Sequence, residues 1–227
     1  MYGHAEVSRW PRRAMVSAHL LTVALVGWFL VGSGTTTVGG WLGVSWAPGD
    51  PARRAVLLAF AIILLVRMST TALVLLERRF RWSEMSVVTA GIAIYQLGFG
   101  LLGAGSGRPL DGWDTLAVIL FLGGGALNSL SEWARKRFKA RPENRGKLYT
   151  KGPFAVVRHP NYLGDILWGI GWALLARSPW AIAIVIAEIA GFVFVNIPQL
   201  SAYLEQRYGD AYRDWARRTA RLLPYLY

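Results

Sequence analysis

The sequence predicts an all-α protein: a polytopic transmembrane bundle of about six spans, followed by an amphipathic helix on the cytoplasmic side. Three observations predict it. Hydrophobic residues make up 54% of the 227 residues and the mean hydropathy is +0.34, too apolar for a soluble domain of this size. These residues gather into runs close to the roughly 20 that a helix needs to cross a hydrocarbon core about 30 Å thick. Lysines and arginines cluster in alternate gaps between the runs, as they do where cytoplasmic loops are enriched in cations. Eleven Trp and nine Tyr supply anchors for two membrane surfaces.

Taken in order, the spans fall at 14–38, 55–76, 85–103 and 113–130, then at 163–176 and 180–197, the last two separated only by Arg177-Ser178-Pro179. The fifth is short. Arg9, Arg12 and Arg13 precede the first span, and Arg78, Arg79 and Arg81 follow the second. A long basic run, from Arg135 to Arg158, separates the fourth from the fifth, and the tail adds Arg207, Arg213, Arg217, Arg218 and Arg221. The opposite loops hold only Arg53, Arg54, Arg108 and Arg177. Six spans with both termini cytoplasmic satisfy every cluster. The basic N-terminus before an apolar stretch has the outline of a signal peptide, but it is read as a retained first helix.

The net charge of +12 would suit nucleic acid, yet its cations lie between apolar runs, where topology and anionic lipid headgroups account for them; no nucleic-acid partner is expected. The chain has no Cys, and His4, His19 and His159 show no ligand spacing, so no metal is expected. Gly98-Phe-Gly-Leu-Leu-Gly103 spells a dinucleotide fingerprint, but inside a membrane helix its N–H groups are already bonded, and close helix packing is the better reading. Gly123-Gly124-Gly125 reads the same way.

Polar residues inside spans are costly and therefore informative. Arg67, Tyr95, Gln96 and Glu188 lie mid-span, the first and last being candidates for an ion pair. Asn128, Ser131, Glu132 and Arg135 share one face of the fourth helix by their spacing, and Asp165 lies one turn beyond Asn161. Beside a cationic loop this cluster suits a charged, polar ligand, with a purely structural network as the alternative. The segment 199–218 carries Leu200, Tyr203, Leu204, Tyr208, Tyr212 and Trp215 at near-helical spacing. It reads as an amphipathic helix interrupted at Tyr208-Gly209-Asp210, either lying in the interface or covering a cofactor.

Residues 132–162 read EWARKRFKARPENRGKLYTKGPFAVVRHPNY and continue LGDILWGIGWAL. This stretch resembles the C-terminal region of steroid 5-alpha-reductase-like proteins, including the bacterial DUF1295 group. It is similar also to integral membrane sterol reductases, which share the Asn-Tyr-Leu-Gly-Asp step. Isoprenylcysteine carboxyl methyltransferases and phospholipid N-methyltransferases share the Arg-His-Pro-x-Tyr step. The similarity covers about 111–227, which it marks as the cofactor-binding half of a single integral membrane domain, 1–227.

The resemblance implies cofactor contact by Asn128, Glu132, Arg158, His159, Asn161, Tyr162 and Asp165, with Lys147 or a neighbouring cation on phosphates. The reductase branch implies NADPH and the methyltransferase branch S-adenosylmethionine. The Asn128-x-x-x-Glu132 pattern and the Asn161-Tyr162-Leu163-Gly164-Asp165 step resemble the reductase branch. The adjacent tail glutamates typical of the methyltransferases are replaced here by Gln199-Leu200-Ser201. The leading expectation is thus an NADPH-dependent reductase of an activated C=C bond in a lipophilic, steroid- or isoprenoid-like substrate. The alternative is an S-adenosylmethionine-dependent methyltransferase of a lipid or prenylated substrate. The Glu and Tyr that steroid reductases supply from their N-terminal half find no counterpart, and Arg67, Glu84 and Tyr95 stand in by position and chemistry as catalytic candidates. In that role Tyr95 would donate a proton, or Arg67 would stabilise an enolate.

Overall fold

The structure is a computed structural model and describes residues 8–47, 49–76 and 80–224. Residues 1–7, with His4, and Arg78 and Arg79 of the second cation cluster lie outside the described residues. Among the described residues the regular structure is helical: α1 (Arg9–Val31), α2 (Gly34–Leu42), α3 (Pro51–Thr70), α4 (Trp82–Ala104), α5 (Gly112–Ala140), α6 (Pro160–Ala176), α7 (Pro179–Gly191), α8 (Ile197–Tyr208) and α9 (Asp210–Arg218). Five stretches are long and apolar enough to cross a membrane: Arg9–Val31, Pro51–Leu75, Trp82–Ala104, Gly112–Ala140 and Pro179–Tyr208. The 17 residues of α6 rise about 25 Å, a sixth, shorter span. Large apolar side chains such as Leu21, Val66, Ile94, Ile119, Ile186 and Phe194 are exposed along these helices, the inverse of a soluble fold. The protein is a multi-pass membrane protein.

Four boundaries differ from the sequence expectation, each for a local reason. The first span ends at Val31 rather than at residue 38, because Gly32 turns extended and the chain folds back so tightly that a Cβ on Gly34 would meet Phe29 Cα at 2.5 Å. Residues 34–42 then form a separate short helix. The second span starts earlier, at Pro51, where Asp50 caps the helix by accepting from the Arg53 N–H at 2.8 Å and proline suits the first helical turn. The fourth helix runs on to Ala140, so the first part of the expected loop is helical.

The fourth difference concerns the tail. Residues 199–208 belong to a helix continuous with the last span, and only α9 is separate. A π-turn at Phe192–Asn196 joins α7 to α8. Its physical cause is legible: Pro198 has no N–H to give the Phe194 carbonyl, and a widened turn accommodates the mismatch. The break at Gly209, which has φ 53° and ψ −126°, falls where the sequence places it.

The chain packs as two compact units, one formed by Met1–Val118 with Gly171–Ile184, the other by Ile119–Ile170 with Val185–Tyr227. In the first, α1 packs on α3 and α4. The glycines of the false fingerprint are packing contacts, as expected: a Cβ on Gly98 would meet Ile184 at 2.7 Å, and one on Gly103 would meet Leu57 at 2.6 Å. Phe99 stacks on buried Trp172, against which Phe60 packs edge-on. Deep in the unit, Gln96 Nε2 lies 2.8 Å from Nε2 of His19 and donates to the Ala61 carbonyl at 3.0 Å, joining α1, α3 and α4.

At one end of the same unit lies a buried ion network that the sequence reading did not anticipate. The guanidinium of Arg53 forks onto both oxygens of Asp114, at 2.6 and 2.9 Å, and also donates to the carbonyls of Leu175, Arg108 and Pro109. Arg177, in the left-handed region at φ 54°, closes the α6–α7 turn and pairs with Asp114 and Asp111.

Candidate functional site

The second unit gathers all eight residues that the sequence assigns to a cofactor, whereas Arg67, Glu84 and Tyr95 belong to the first. Its frame is the contact of α5 with α6. Glycines face each other there: a Cβ on Gly124 would come within 2.4 Å of the Gly164 carbonyl, and one on Gly164 within 2.5 Å of the Gly124 carbonyl. One turn along, Asn128 Nδ2 donates to the Asn161 carbonyl and to Asp165 Oδ1, both at 3.0 Å, and Trp168 Nε1 donates to the same Asp165 oxygen at 2.7 Å. The amide of Asn128 is therefore a clamp between helices. Within the expected polar cluster, Asn128 and Asp165 have a structural partnership in addition to any contact with a ligand.

Glu132, one turn further along α5, pairs with Arg135 and lies within electrostatic reach of Asp165. Between Asn128 and Glu132, Ser131 is fully buried and its hydroxyl has no partner among the described residues. Lys147 is exposed, past the turn at Pro142–Asn144, and its carbonyl accepts from Lys139, whose ammonium also donates to the Tyr208 hydroxyl at 2.8 Å.

The Arg-His-Pro-x-Tyr step lies at the start of α6. Pro160 opens the helix, where its missing N–H costs nothing, and the His159 carbonyl accepts from Leu163. His159 is 1% exposed, and its Nε2 has no partner among the described residues. Its ring stacks on Tyr162 at 5.4 Å, and Tyr162 stacks on Phe192 at 4.4 Å, giving three near-parallel rings. Phe192 opens the π-turn, a distortion common at functional sites. The sequence reading missed Phe192, although Pro198 is the signal that could have found the turn. A buried polar atom without a partner is rare enough to require an explanation, and a ligand is one.

Burial, with the nearby charges of Arg158 and Arg221, holds the His159 imidazole down to about 4 from its ordinary 6.5. At neutral pH the ring is uncharged. Because the folded state resists the proton and the unfolded chain accepts it, stability falls as pH drops from 6.5 towards 4 and levels off below that. The proton's weaker hold in the folded state corresponds to roughly 3 kcal/mol. Denaturant titrations in detergent at pH 7 and pH 4.5 should show a loss in the wild type that is much smaller in His159→Gln.

Arg158 has partners in the C-terminal tail. Its Nη1 donates to the carbonyls of Ala216 and Thr219, and its backbone N–H to Ala220 at 2.8 Å. Among the described residues, no group of three His, Cys, Asp or Glu side chains is placed to hold a metal ion.

The fold defines a polytopic α-helical membrane protein with a polar and aromatic side-chain cluster in its C-terminal half. The chain belongs to the family described as "protein of unknown function (DUF1295)", which it matches over residues 80–219. It is 30% identical over 88 residues to protein-S-isoprenylcysteine O-methyltransferase B of Arabidopsis thaliana, a match covering 39% of this chain and 45% of that protein. It is 37% identical over 120 residues to the probable O-methyltransferase ustE of Ustilaginoidea virens, covering 47% and 42%. With the protein-S-isoprenylcysteine O-methyltransferase of Schizosaccharomyces pombe it shares 29% identity over 77 residues, covering 34% and 33%. The matches span less than half the length of these curated relatives.

Proposed function

We propose that the protein is a membrane-embedded methyltransferase that moves a methyl group from S-adenosylmethionine to an oxygen atom of a lipophilic, lipid- or prenyl-like acceptor. The observation that carries this reading is that the relatives named above are O-methyltransferases and none is a reductase. The comparisons thus favour the alternative over the NADPH-dependent reductase that the sequence put first.

The residues present suit such a cofactor. Its chemistry is an electrophilic methyl on a positively charged sulfur. Asp165 and Glu132 place carboxyl groups beside a cation, Glu132 being already paired with Arg135, and Phe192, the end ring of the stack with Tyr162 and His159, suits the flat face of a purine or a sulfonium. The partnerless Nε2 of buried His159 and the Ser131 hydroxyl supply polar atoms for a bound ligand to satisfy. His159, neutral at pH 7, would orient a ligand by hydrogen bonding without adding charge. Asn161 and Lys147 complete the proposed contacts, Lys147 reaching from the exposed turn. The cations that a dinucleotide's phosphates would require are partly engaged: Arg158 on the tail carbonyls, Arg135 on Glu132, and Lys139 on Tyr208. Arg67, Glu84 and Tyr95 are the side chains of the N-terminal half from which contacts to the acceptor's polar group would be drawn.

The test is ligand-induced stabilisation. S-adenosylhomocysteine at 100 times its Kd should stabilise the detergent-solubilised protein by about 2.7 kcal/mol, read as a raised Tm, while NADPH leaves it unmoved. Labelled methyl from S-adenosylmethionine should then enter the lipid extract of membranes containing the protein. Stabilisation by NADPH and none by S-adenosylhomocysteine would overturn the reading.

A further inference from the structure

Asp165 lies in the second turn of α6, and two donors meet on one oxygen of its carboxylate. Oδ1 accepts from Asn128 Nδ2, across the helix contact, at 3.0 Å, and from Trp168 Nε1, on its own helix, at 2.7 Å. Asp165 and Trp168 are three positions apart on α6, so their side chains share one face. With both donors on Oδ1, turning the carboxylate would break at least one of the two bonds. An amide and an indole N–H are neutral, so they orient the carboxylate without cancelling its charge. Asp114 is held differently: both its oxygens are bound by the guanidinium of Arg53, which cancels the charge as it binds.

Trp168 is buried, and α5 fixes where it lies. The ring of Phe121 meets it edge-on at 6.3 Å between centroids, and a Cβ on Gly124 would come within 2.6 Å of its backbone nitrogen. Packing of this kind needs a ring, which phenylalanine would supply. The indole adds a polar atom, and a buried N–H is costly unless an acceptor is built beside it. Here that acceptor is Asp165. Glu132, on the facing helix, lies within electrostatic reach of the same carboxylate. Two neighbouring carboxyl groups repel each other when ionised, and a cationic ligand offsets that repulsion.

We propose that Trp168 is a positioning residue of the ligand site: its indole N–H, with the Asn128 amide, holds Asp165 so that the carboxylate faces a cationic group of the cofactor. This rests on the methyltransferase reading for the identity of the ligand. Trp168 acts through Asp165 and not by contact with the cofactor. Phenylalanine at 168 would keep a ring against Phe121 and remove the 2.7 Å hydrogen bond.

Calorimetric binding of S-adenosylmethionine to the full chain in detergent, without acceptor, tests this by a double-mutant cycle. Trp168→Phe should weaken binding about tenfold, and Asp165→Asn at least as much. The double variant should stay within about twofold of Asp165→Asn alone, because the indole then has no carboxylate charge to aim. Losses that multiply would mean that Trp168 acts by packing, and they overturn the proposal. Wild-type affinity in either single variant does the same. Phe121→Leu alters the packing of the indole and spares its N–H, so it should bind within about twofold of the wild type. A loss as large as that of Trp168→Phe would again point to packing and overturn the proposal. Should Trp168→Phe fold poorly, indole N–H signals in nitrogen-labelled protein replace it. Of the eleven tryptophans, the one whose signal moves most in Asp165→Asn should also respond to S-adenosylmethionine in the wild type. A signal left in place at saturation overturns the assignment. If the wild type binds no S-adenosylmethionine at all, the methyltransferase reading fails and the role of Trp168 with it, whereas wild-type affinity in Asp165→Asn removes that role alone.

Discussion

Asp114→Ala is expected to destabilise the protein by about 3–5 kcal/mol, because it leaves a fully buried guanidinium without its counter-charge. Arg53 is 0% exposed and Asp114 4%. The three carbonyls around Arg53 would solvate it in part, but none carries the formal negative charge that cancels its own. Arg177 would lose one of its two carboxylate partners in the same step, while held at a positive φ that costs a non-glycine residue energy. Removing both buried partners, in Arg53→Met with Asp114→Leu, should recover much of the loss, since an apolar pair of similar volume avoids the desolvation of two charges. Thermal unfolding of the single and double variants in one detergent measures both effects. A single variant within about 1 kcal/mol of wild type would mean that water reaches Arg53.

This network shows where the sequence stops being informative. Arg53 and Arg177 were visible only as loop charges, counted with Arg54 and Arg108 for topology, and Asp114 was passed over at the start of the fourth span, because nothing in their spacing reveals a contact between residues 61 positions apart. The spans themselves were legible, since a run of apolar residues is a local property. So was the break at Gly209, where only glycine accepts the backbone angles without strain. The helical spacing of Asn128, Ser131, Glu132 and Arg135 was also readable, and the structure places all four on α5. What spacing could not tell was which partner each side chain takes. Asn128 reaches across to α6, and Arg158 reaches into a tail nearly 60 residues later. The Phe192 face of the aromatic stack was hidden for the same reason: one aromatic among many in an apolar run becomes distinctive only when its ring lies on Tyr162.

Two adjacent glycines in α5 provide the sharpest test of the frame that carries the site. Gly123 faces open space, with nothing within 4 Å of a Cβ placed there. Gly123→Ala should therefore stabilise the helix by up to about 1 kcal/mol through propensity alone. A Cβ on Gly124 would lie 2.4 Å from the Gly164 carbonyl oxygen, 2.6 Å from the Trp168 nitrogen and 2.9 Å from Leu167 Cβ. Two of these neighbours are backbone atoms that no rotamer change can move, so Gly124→Ala must push α5 and α6 apart. Overpacking of this kind costs about 1–3 kcal/mol, and the separation also stretches both hydrogen bonds of Asn128, leaving buried groups unsatisfied at roughly 1–3 kcal/mol more. Gly124→Ala should thus lower stability by at least about 3 kcal/mol while the identical change one residue earlier raises it. The consequence for function follows from the same displacement. Asp165 and Tyr162 are carried on α6 and Glu132 on α5, so widening the contact moves the two halves of the ligand site apart. S-adenosylhomocysteine should no longer raise the Tm of Gly124→Ala even at temperatures where the variant is fully folded by circular dichroism, whereas Gly123→Ala should respond as the wild type does. Equal melting temperatures for the two variants would show that α5 and α6 do not cross at Gly124 and Gly164, and the clamp, the carboxylates and the ring stack could then no longer be treated as one site.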